Sequence, residues 1–345
     1  MKIAIERTAF ANALTKIKDS SGNQTSPITN NVKVETVDDE SVRLTATNLD
    51  TTISTVVRCQ VREPGATTVP LKLVVQMVAA LTASVVELSC DERTNGKAKL
   101  VGGDVKYSLV TMPVADFPVQ AEVSGQAFRI GQATLRDLIS RTAYAVSDDK
   151  TRLTFTGVNL FTNGGFVYSV ATDGRRFAIA CSKHEGEASF NVIVPNCTIR
   201  LLRSVLESDG EVSVRIDERV AARFETDRLS LQSKLIDDEF PNVIERMPRI
   251  TAKVAEVGRN EFVDALRQAS VTSASVGENC VTITVSNGVV RLVSTDKEVS
   301  DSEVIFPVKY DGDEYTFRMN PKFPKRTDLR EFGRDLTKTL FPKAE

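Results

Sequence analysis

The stretch "KLIDDEFPNVI" at 234–244 rewrites a phrase met earlier, "VTMPVADFPVQ" at 110–120. Each closes a strand-like run with an acidic residue, then Phe-Pro, then an apolar residue at once (Val119) or one place on (Val243), and Phe117 and Phe240 stand 123 positions apart. The echo extends upstream. "ATNLD" (46–50) is answered by "ATDGR" (171–175), and "TTVPLKLVVQMV" (67–78) by "VIVPNCTIRLLRSVL" (192–206), both at a shift of 125. A third copy can be followed for most of its length, with "VSTDKE" (293–298) in the ATDGR slot and "FRMNPKF" (317–323) in the Val-Pro slot. Three tandem units of about 124 residues are indicated. A third Phe-Pro phrase would fall near residue 363, past Glu345, so the last unit is expected to lack roughly 20 residues.

Each unit keeps one rhythm. A short strand ("KIAIE", "QAFRI", "AKVAEV") leads into an amphipathic helix: "RTAFANALTKIK", "ATLRDLISRTAYAV", "NEFVDALRQASV". In the last of these Phe262, Ala265, Leu266 and Ala269 make one apolar face. Alternating strands follow, such as "SVRLTATNL", "VTITVSN" and "VVRLVST", and Gly102-Gly103 and Gly164-Gly165 read as hairpin turns. After the Val-Pro or Asn-Pro phrase comes a second helix: "LKLVVQMVAAL", "CTIRLLRSVLE" and, less regularly, "TDLREFGRDL". Proline suits that place because the first turn of a helix has no N–H bond to lose. The expected fold class is α+β, with two helices against antiparallel sheet in each of three domains, 1–122, 123–246 and 247–345, the last C-terminally incomplete.

The totals agree with a multidomain globular chain. At 345 residues it exceeds one ordinary core, and 41% hydrophobic with 26% charged residues is too balanced for a disordered chain. Five cysteines without close pairing, Cys59, Cys90, Cys181, Cys197 and Cys280, read as reduced thiols of a cytoplasmic protein. The start "MKIAIERTAF" lacks the pattern of a signal peptide, and no apolar run is long enough for a membrane helix.

No catalytic constellation stands out. Asp38-Asp39-Glu40, Asp148-Asp149, Asp237-Asp238-Glu239 and "DGDE" at 311–314 fall at expected turns, where Asp and Gly serve the backbone. Acid–base work needs two carboxyls converging in a cleft. There is no phosphate-binding glycine loop and no Cys/His cluster for a metal, and His184, the sole histidine, reads as a solvated loop residue. Neither cofactor nor metal is expected, and the chain reads as no enzyme. A metal-dependent nuclease built on Asp148 and Asp149 is the alternative from that class.

The net charge of −2 conceals an asymmetry. The helical segments sum to about +7 and leave strands and turns near −9. Equivalent basic helices in three units would form a continuous surface suited to phosphate backbone without base readout. Aromatic residues for stacking on single strands are sparse along the helices, so duplex DNA is the better ligand.

"EPGATTVP" (63–70), "YSLVTMPVADFP" (107–118), "ATDGRRFA" (171–178), "SKLIDDEFPN" (233–242) and "FRMNPKF" (317–323), in order, resemble the bacterial sliding clamp, the beta subunit of DNA polymerase III. The resemblance runs from Met1 to about residue 323. It implies three repeated DNA-clamp domains forming half of a ring: a head-to-tail homodimer with helices lining a pore around duplex DNA and sheets outside. The implied role is a tether for the replicative polymerase, placed on DNA by a clamp loader. The alternative is an accessory or mobile-element clamp homologue that binds clamp partners without productive loading.

Three surfaces follow from the resemblance. At the ring seam, Lys72, Lys106 and Tyr107 would meet Ser270, Val271 and Thr272 and the acidic strand with Asp296, Glu298, Asp301 and Glu303 of another subunit. Taken alone, such an acidic strand also blunts a sheet edge against aggregation. A linear-peptide pocket between domains 2 and 3 maps onto Arg152, Phe155, Thr172, Gly174, Arg175, Arg176, Phe177, Pro241, Arg246, Met247, Asn320 and Phe323. The family commonly has His at 175, Leu at 177 and an apolar residue at 246. In the pore, Lys16, Arg136, Arg141, Lys150, Arg152, Arg200, Arg203 and Arg267 would contact DNA, while the loop that often adds an arginine reads "SSGNQT" at 20–25. The family's closing strands and peptide-walling tail give way here to "DLREFGRDLTKTLFPKAE", from which weaker peptide capture is expected.

Overall fold

The computed structural model describes residues 1–22, 26–91, 96–184, 188–242, 255–273, 280–296 and 300–320. The chain divides into two compact units, Met1–Phe240 and Pro241–Glu345.

The first unit runs β1 (Lys2–Glu6), α1 (Arg7–Ile17), β2 (Asn31–Asp38), β3 (Ser41–Thr47), β4 (Thr51–Arg58), β5 (Gln60–Glu63), β6 (Ala66–Pro70), α2 (Leu71–Ala80), β7 (Val85–Cys90), β8 (Lys97–Gly102) and β9 (Val105–Val110). The same order then recurs less one strand. It reads β10 (Gln126–Gly131), α3 (Gln132–Thr142), β11 (Gly157–Asn163), β12 (Phe166–Thr172), β13 (Phe177–Lys183), β14 (Asn191–Pro195), α4 (Asn196–Val205), β15 (Glu211–Asp217), β16 (Ala221–Glu225) and β17 (Leu229–Lys234).

Local chemistry explains these elements. α1 buries Phe10, Ala13, Leu14 and Ile17, one face at helical spacing, and leaves Lys16 in water. Pro70 and Pro195 each end a strand and stand at the N-cap of the helix that follows, where their fixed φ is no obstacle. The turn between β11 and β12 is Gly164-Gly165, with φ of 57° and 79°; a two-residue turn with both φ positive matches the twist of the strands it joins. The acidic clusters are turn residues as expected. Asp38 accepts the Glu40 N–H and Asp149 the Thr151 N–H, and hydrogen bonds from Ser41 and Thr151 side chains, foremost, hold both carboxyls below their ordinary range.

Three sheets use these strands. β5-β1-β7-β8-β9 and β13-β12-β11-β14 each belong to one copy, while β10-β15-β16-β17-β4-β3-β2-β6 draws on both. The join is the antiparallel pair β17 and β4, with Leu231 opposite Ile53 and Ser230 opposite Ser54. Leu231 and Ile53 are wholly buried. Behind them a hydroxyl chain runs Thr51, Thr198, Ser233, with oxygen separations of 3.2 and 2.6 Å. One hydrophobic core spans the unit from Ile3 to Leu231.

In the second unit α5 (Arg259–Ser273) packs Ala265, Leu266 and Ala269 onto β18 (Val281–Ser286), β19 (Val289–Asp296), β20 (Ser300–Pro307) and β21 (Tyr315–Met319). Its sheet order, β20-β19-β18-β21, repeats β4-β3-β2-β6 and β13-β12-β11-β14 position for position. Of the strand expected at 252–257, the described part makes one bridge, Glu256 to Lys309. The helix expected at 327–336 lies outside the described residues. The α+β expectation holds, with antiparallel pairing throughout the described strands.

His184 departs from the reading of a solvated loop residue. It follows β13 directly, donates its backbone N–H to Gly165, and sets its ring edge-on to Phe128 at 4.9 Å. Charged neighbours in the sequence concealed an aromatic contact that only strand pairing creates.

Candidate functional site

The predicted pore residues fall into connected groups. Lys16, in the last turn of α1, reaches Glu207 just past α4 at 2.9 Å. Beside it Arg136 of α3 donates to the Leu206 carbonyl at 3.3 Å, and Arg203 of α4 donates to Ser140 of α3 at 3.1 Å. Lys16, Arg136 and Arg203 are thereby brought onto one helical surface of the first unit, with Arg141 one residue past Ser140 and Arg200 one turn before Arg203. Arg141 pairs with Asp137 at 2.8 Å, and Arg200 is exposed. The Lys16 ammonium, by hydrogen bond and then by charge, holds the Glu207 carboxyl below its ordinary range. Because both partners are exposed, that pair adds well under about 1 kcal/mol of stability. Lys150 and Arg152 lie instead on the turn after α3, and Arg267 is on α5 of the second unit, paired with Asp264 at 3.2 Å.

The first unit's share of the predicted peptide site is compact. Gly174, with φ of 85°, turns the β12–β13 loop, and a Cβ placed there would stand 3.1 Å from Nη1 of Arg152 and 3.9 Å from the Phe155 ring. Arg152 lies over that ring, 5.3 Å from its centroid, while its Nε rests on Asp149. Phe155 meets Phe240 edge-on at 6.3 Å. The Thr172 hydroxyl is buried, donating to the Arg176 carbonyl and accepting from the Gly174 N–H. Arg176 is committed to structure: its Nε lies 3.0 Å from Asp173 and its Nη2 donates to the Tyr144 carbonyl. Phe177 opens β13 half-buried, and Arg175 points into solvent. Leu153, 60% exposed beside Arg152 and Phe155, was missed in the sequence. A lone apolar residue in a turn carries no signal until the loop is placed.

Pro241 and Asn320 belong to the second unit; Arg246, Met247 and Phe323 lie outside the described residues. Of the seam residues, Lys72 is the second residue of α2, and Lys106 and Tyr107 lie on β9, an outer strand of its sheet. Ser270, Val271 and Thr272 are in the last part of α5, Val271 being 73% exposed. Asp296 ends β19, and Asp301 and Glu303 lie on β20, an outer strand of the second unit's sheet. Glu298 is outside the described residues. Among the described residues no group of three or more His, Cys, Asp or Glu is placed to hold a metal ion, and no helix is long and apolar enough to cross a membrane. All five cysteines are free thiols; burial first, and Asp38 second, push the Cys59 thiol up to about 11.

Two family models match consecutive stretches: the DNA polymerase III beta subunit N-terminal domain over residues 1–121 and its central domain over 129–242. The chain is 30% identical to the beta sliding clamp of Escherichia coli (strain K12) over 333 residues, 94% of this chain and 88% of that protein. The chain belongs to the beta sliding clamp family. Its function class is that of a sliding clamp for DNA polymerase III. Another clamp of the family, from Pseudomonas aeruginosa, is 31% identical over 296 residues, 84% of this chain and 79% of the relative. The crystal structure of the DNA polymerase III subunit beta from Pseudomonas aeruginosa superposes with a TM-score of 0.87 at 28% identity, covering 94% of this chain and 88% of that one. The clamp from Bacillus subtilis shares the fold with a TM-score of 0.89 at 21% identity, over 95% of this chain and 90% of that one. The clamp fold thus explains the strand order shared by the three copies.

Proposed function

We propose that two copies of this chain join head to tail into a ring around duplex DNA and tether the replicative polymerase without catalysing a reaction. The repeats at 1–122, 123–246 and 247–345 act as clamp domains in the cytoplasm, and a clamp loader places the ring on DNA. The observation that carries this reading is the internal join of β17 to β4. Position by position, β9 is the counterpart of β17, because Leu88, Leu100 and Tyr107 pair across their strands as Val214, Phe224 and Leu231 do. β20 is the counterpart of β4, because Leu292 faces Val304 as Leu44 faces Thr55.

Applying the same register between subunits sets Tyr107 opposite Ser302 and Lys106 opposite Glu303 of the partner subunit, with Asp301 on the diagonal. Opposite charges at such a pair select register more than they add affinity. Leu73, Val105 and Val110 on one side and Val271 and Ile305 on the other are exposed in the single chain, as residues awaiting a partner would be. A heterologous contact of this kind closes into a ring when the rotation allows. Lys16, Arg136, Arg141, Lys150, Arg152, Arg200, Arg203 and Arg267 would then attract the phosphate backbone. Contacts to the phosphate backbone carry no base readout, so a ring held this way could move along the duplex.

Retention on DNA tests the ring. Loaded onto nicked circles, the protein should stay bound through a wash of about 0.5 M salt that screens phosphate contacts, and should leave once the circle is cut. Equal loss from circles and linear DNA would refute encirclement. Peptide capture without any loader-dependent retention would favour the accessory homologue. Partner proteins are proposed to dock through apolar peptide anchors on the surface around Phe155, Gly174 and Phe177.

A further inference from the structure

A carboxylate stands among the cations of the helical surface. Glu207 follows Leu206, the residue that closes α4, and its backbone is fixed from two sides. Its N–H donates to Oε1 of Gln132 at 3.0 Å, and the carbonyl just before it accepts from Arg136. Gln132 is itself buried at the start of α3. From that place the Glu207 side chain crosses from the second copy to the first and meets Lys16 of α1 at 2.9 Å. Arg228, on the turn between β16 and β17, also acts on its carboxyl by charge, after Lys16. A pair such as Arg141 with Asp137, four positions apart on one helix, is common on helix surfaces. Lys16 and Glu207 are 191 positions apart and meet only through the fold. The side chains are 41% and 67% exposed, so the contact does little to hold the copies together; the buried pairing of β17 with β4 does that.

We infer that Glu207 is a positioning residue for DNA contact: it holds Lys16 back from the phosphate backbone and keeps this surface one contact below what its cations would otherwise make. The inference rests on the reading of the helical surface as DNA-facing and adds a residue of opposite sign that sets how tightly it grips. A cation already neutralised by a carboxylate displaces no net counterion when it meets a phosphate. Glutamine keeps the length and shape of glutamate without its charge, and the bond from the residue 207 N–H to Gln132 does not depend on the side chain. Glu207→Gln therefore frees Lys16 and leaves the backbone around it in place.

A fluorescent linear duplex of about 30 base pairs, titrated with the full chain by anisotropy over a range of salt, tests this. Glu207→Gln should bind about tenfold more tightly than the unmodified protein at about 50 mM salt and about threefold at about 200 mM, the steepening expected from one further phosphate contact. In a Lys16→Gln background the same change should add no more than about twofold and leave the salt slope unaltered. The Tm of Glu207→Gln should stay within about 4 °C of the unmodified protein, as for any exposed pair. Equal affinity and slope for Glu207→Gln and the unmodified protein would overturn the role of Glu207 and leave the DNA-facing surface standing. A gain as large without Lys16 as with it would overturn the route through Lys16, and a fall in Tm beyond that range with no change in slope would make the pair structural. Binding of the duplex by neither protein at about 50 mM salt would overturn the DNA-facing reading and this inference with it.

Discussion

Lys106→Glu is expected to convert the protein from a species of twice the 37.8 kDa chain mass to one of 37.8 kDa at micromolar concentration. The substitution sets Glu opposite Glu303 and diagonal to Asp301 in the register carried over from the internal join, so two attractive contacts become repulsive. Like charges directly across a sheet destabilise it, and at an interface such a juxtaposition costs several kcal/mol. Each ring has two seams and both carry the change. A loss of at least about a hundredfold in dimer affinity is the expected outcome, read by light scattering or sedimentation. Pairing Lys106→Glu with Glu303→Lys restores opposite charges and should return most of the affinity. Glu303 also touches Arg291 on its own sheet, so the swapped pair brings a second cation up to Arg291 and recovery should be incomplete. A fully dimeric Lys106→Glu protein would mean that β9 does not meet β20 in this register.

The second large effect lies at the internal join. Leu231→Ala should lower the stability of the first unit by about 3 kcal/mol, which for a unit of this size lowers its Tm by roughly 6–12 °C. Leu231 is wholly buried between Ile53 across the strand pair and Phe224 on its other neighbour, with Thr51, Thr198 and Ser233 hydrogen-bonded nearby. A sheet core pinned on both sides cannot collapse into the space left by three lost carbons. Tyr107→Ala, at the equivalent place on β9, should behave differently. Tyr107 is half-buried in the single chain, so the substitution should cost little in Tm of the monomer and show itself as weakened dimerisation. Similar Tm losses in both variants, with dimerisation intact, would contradict the equivalence of the two edges.

Much of this was legible before any coordinates. Proline at 70 and 195 marked the starts of α2 and α4 because the residue fixes its own φ and needs no helical partner, a local property. Gly164-Gly165 marked its hairpin for the same reason. The first helix of each unit was visible in its apolar spacing, and observed ends at Ile17, Thr142 and Ser273 fall within a few residues of the expected ones. What escaped was non-local. The sequence repeat suggests beads on a string, and nothing in "LSLQSK" says that it pairs with "TTISTVVR" to carry one sheet through two copies. Leu231 and Ile53 are 178 positions apart, and only strand register brings them together. The candidate site was legible in the same partial way. The cations were found by residue type, but their engagements, Lys16 with Glu207 and Arg176 with Asp173 and Tyr144, depend on side-chain reach across elements. Those engagements are what separate Arg175, which is exposed, from Arg176, which Asp173 and the Tyr144 carbonyl hold.

Disulfide trapping of the seam tests the head-to-tail arrangement most directly. Directly opposed positions on antiparallel strands hold their Cα atoms about 4.5–5.5 Å apart, within reach of a disulfide. Lys106→Cys combined with Glu303→Cys, oxidised and run without reductant, should give one product at twice the 37.8 kDa chain mass, and each single substitution should give none. If the doubly substituted protein is loaded onto a nicked circle before oxidation, it should remain on that DNA in detergent once linked. Failure of the pair to link, or a ladder of products extending beyond two chains, would contradict a closed two-subunit ring.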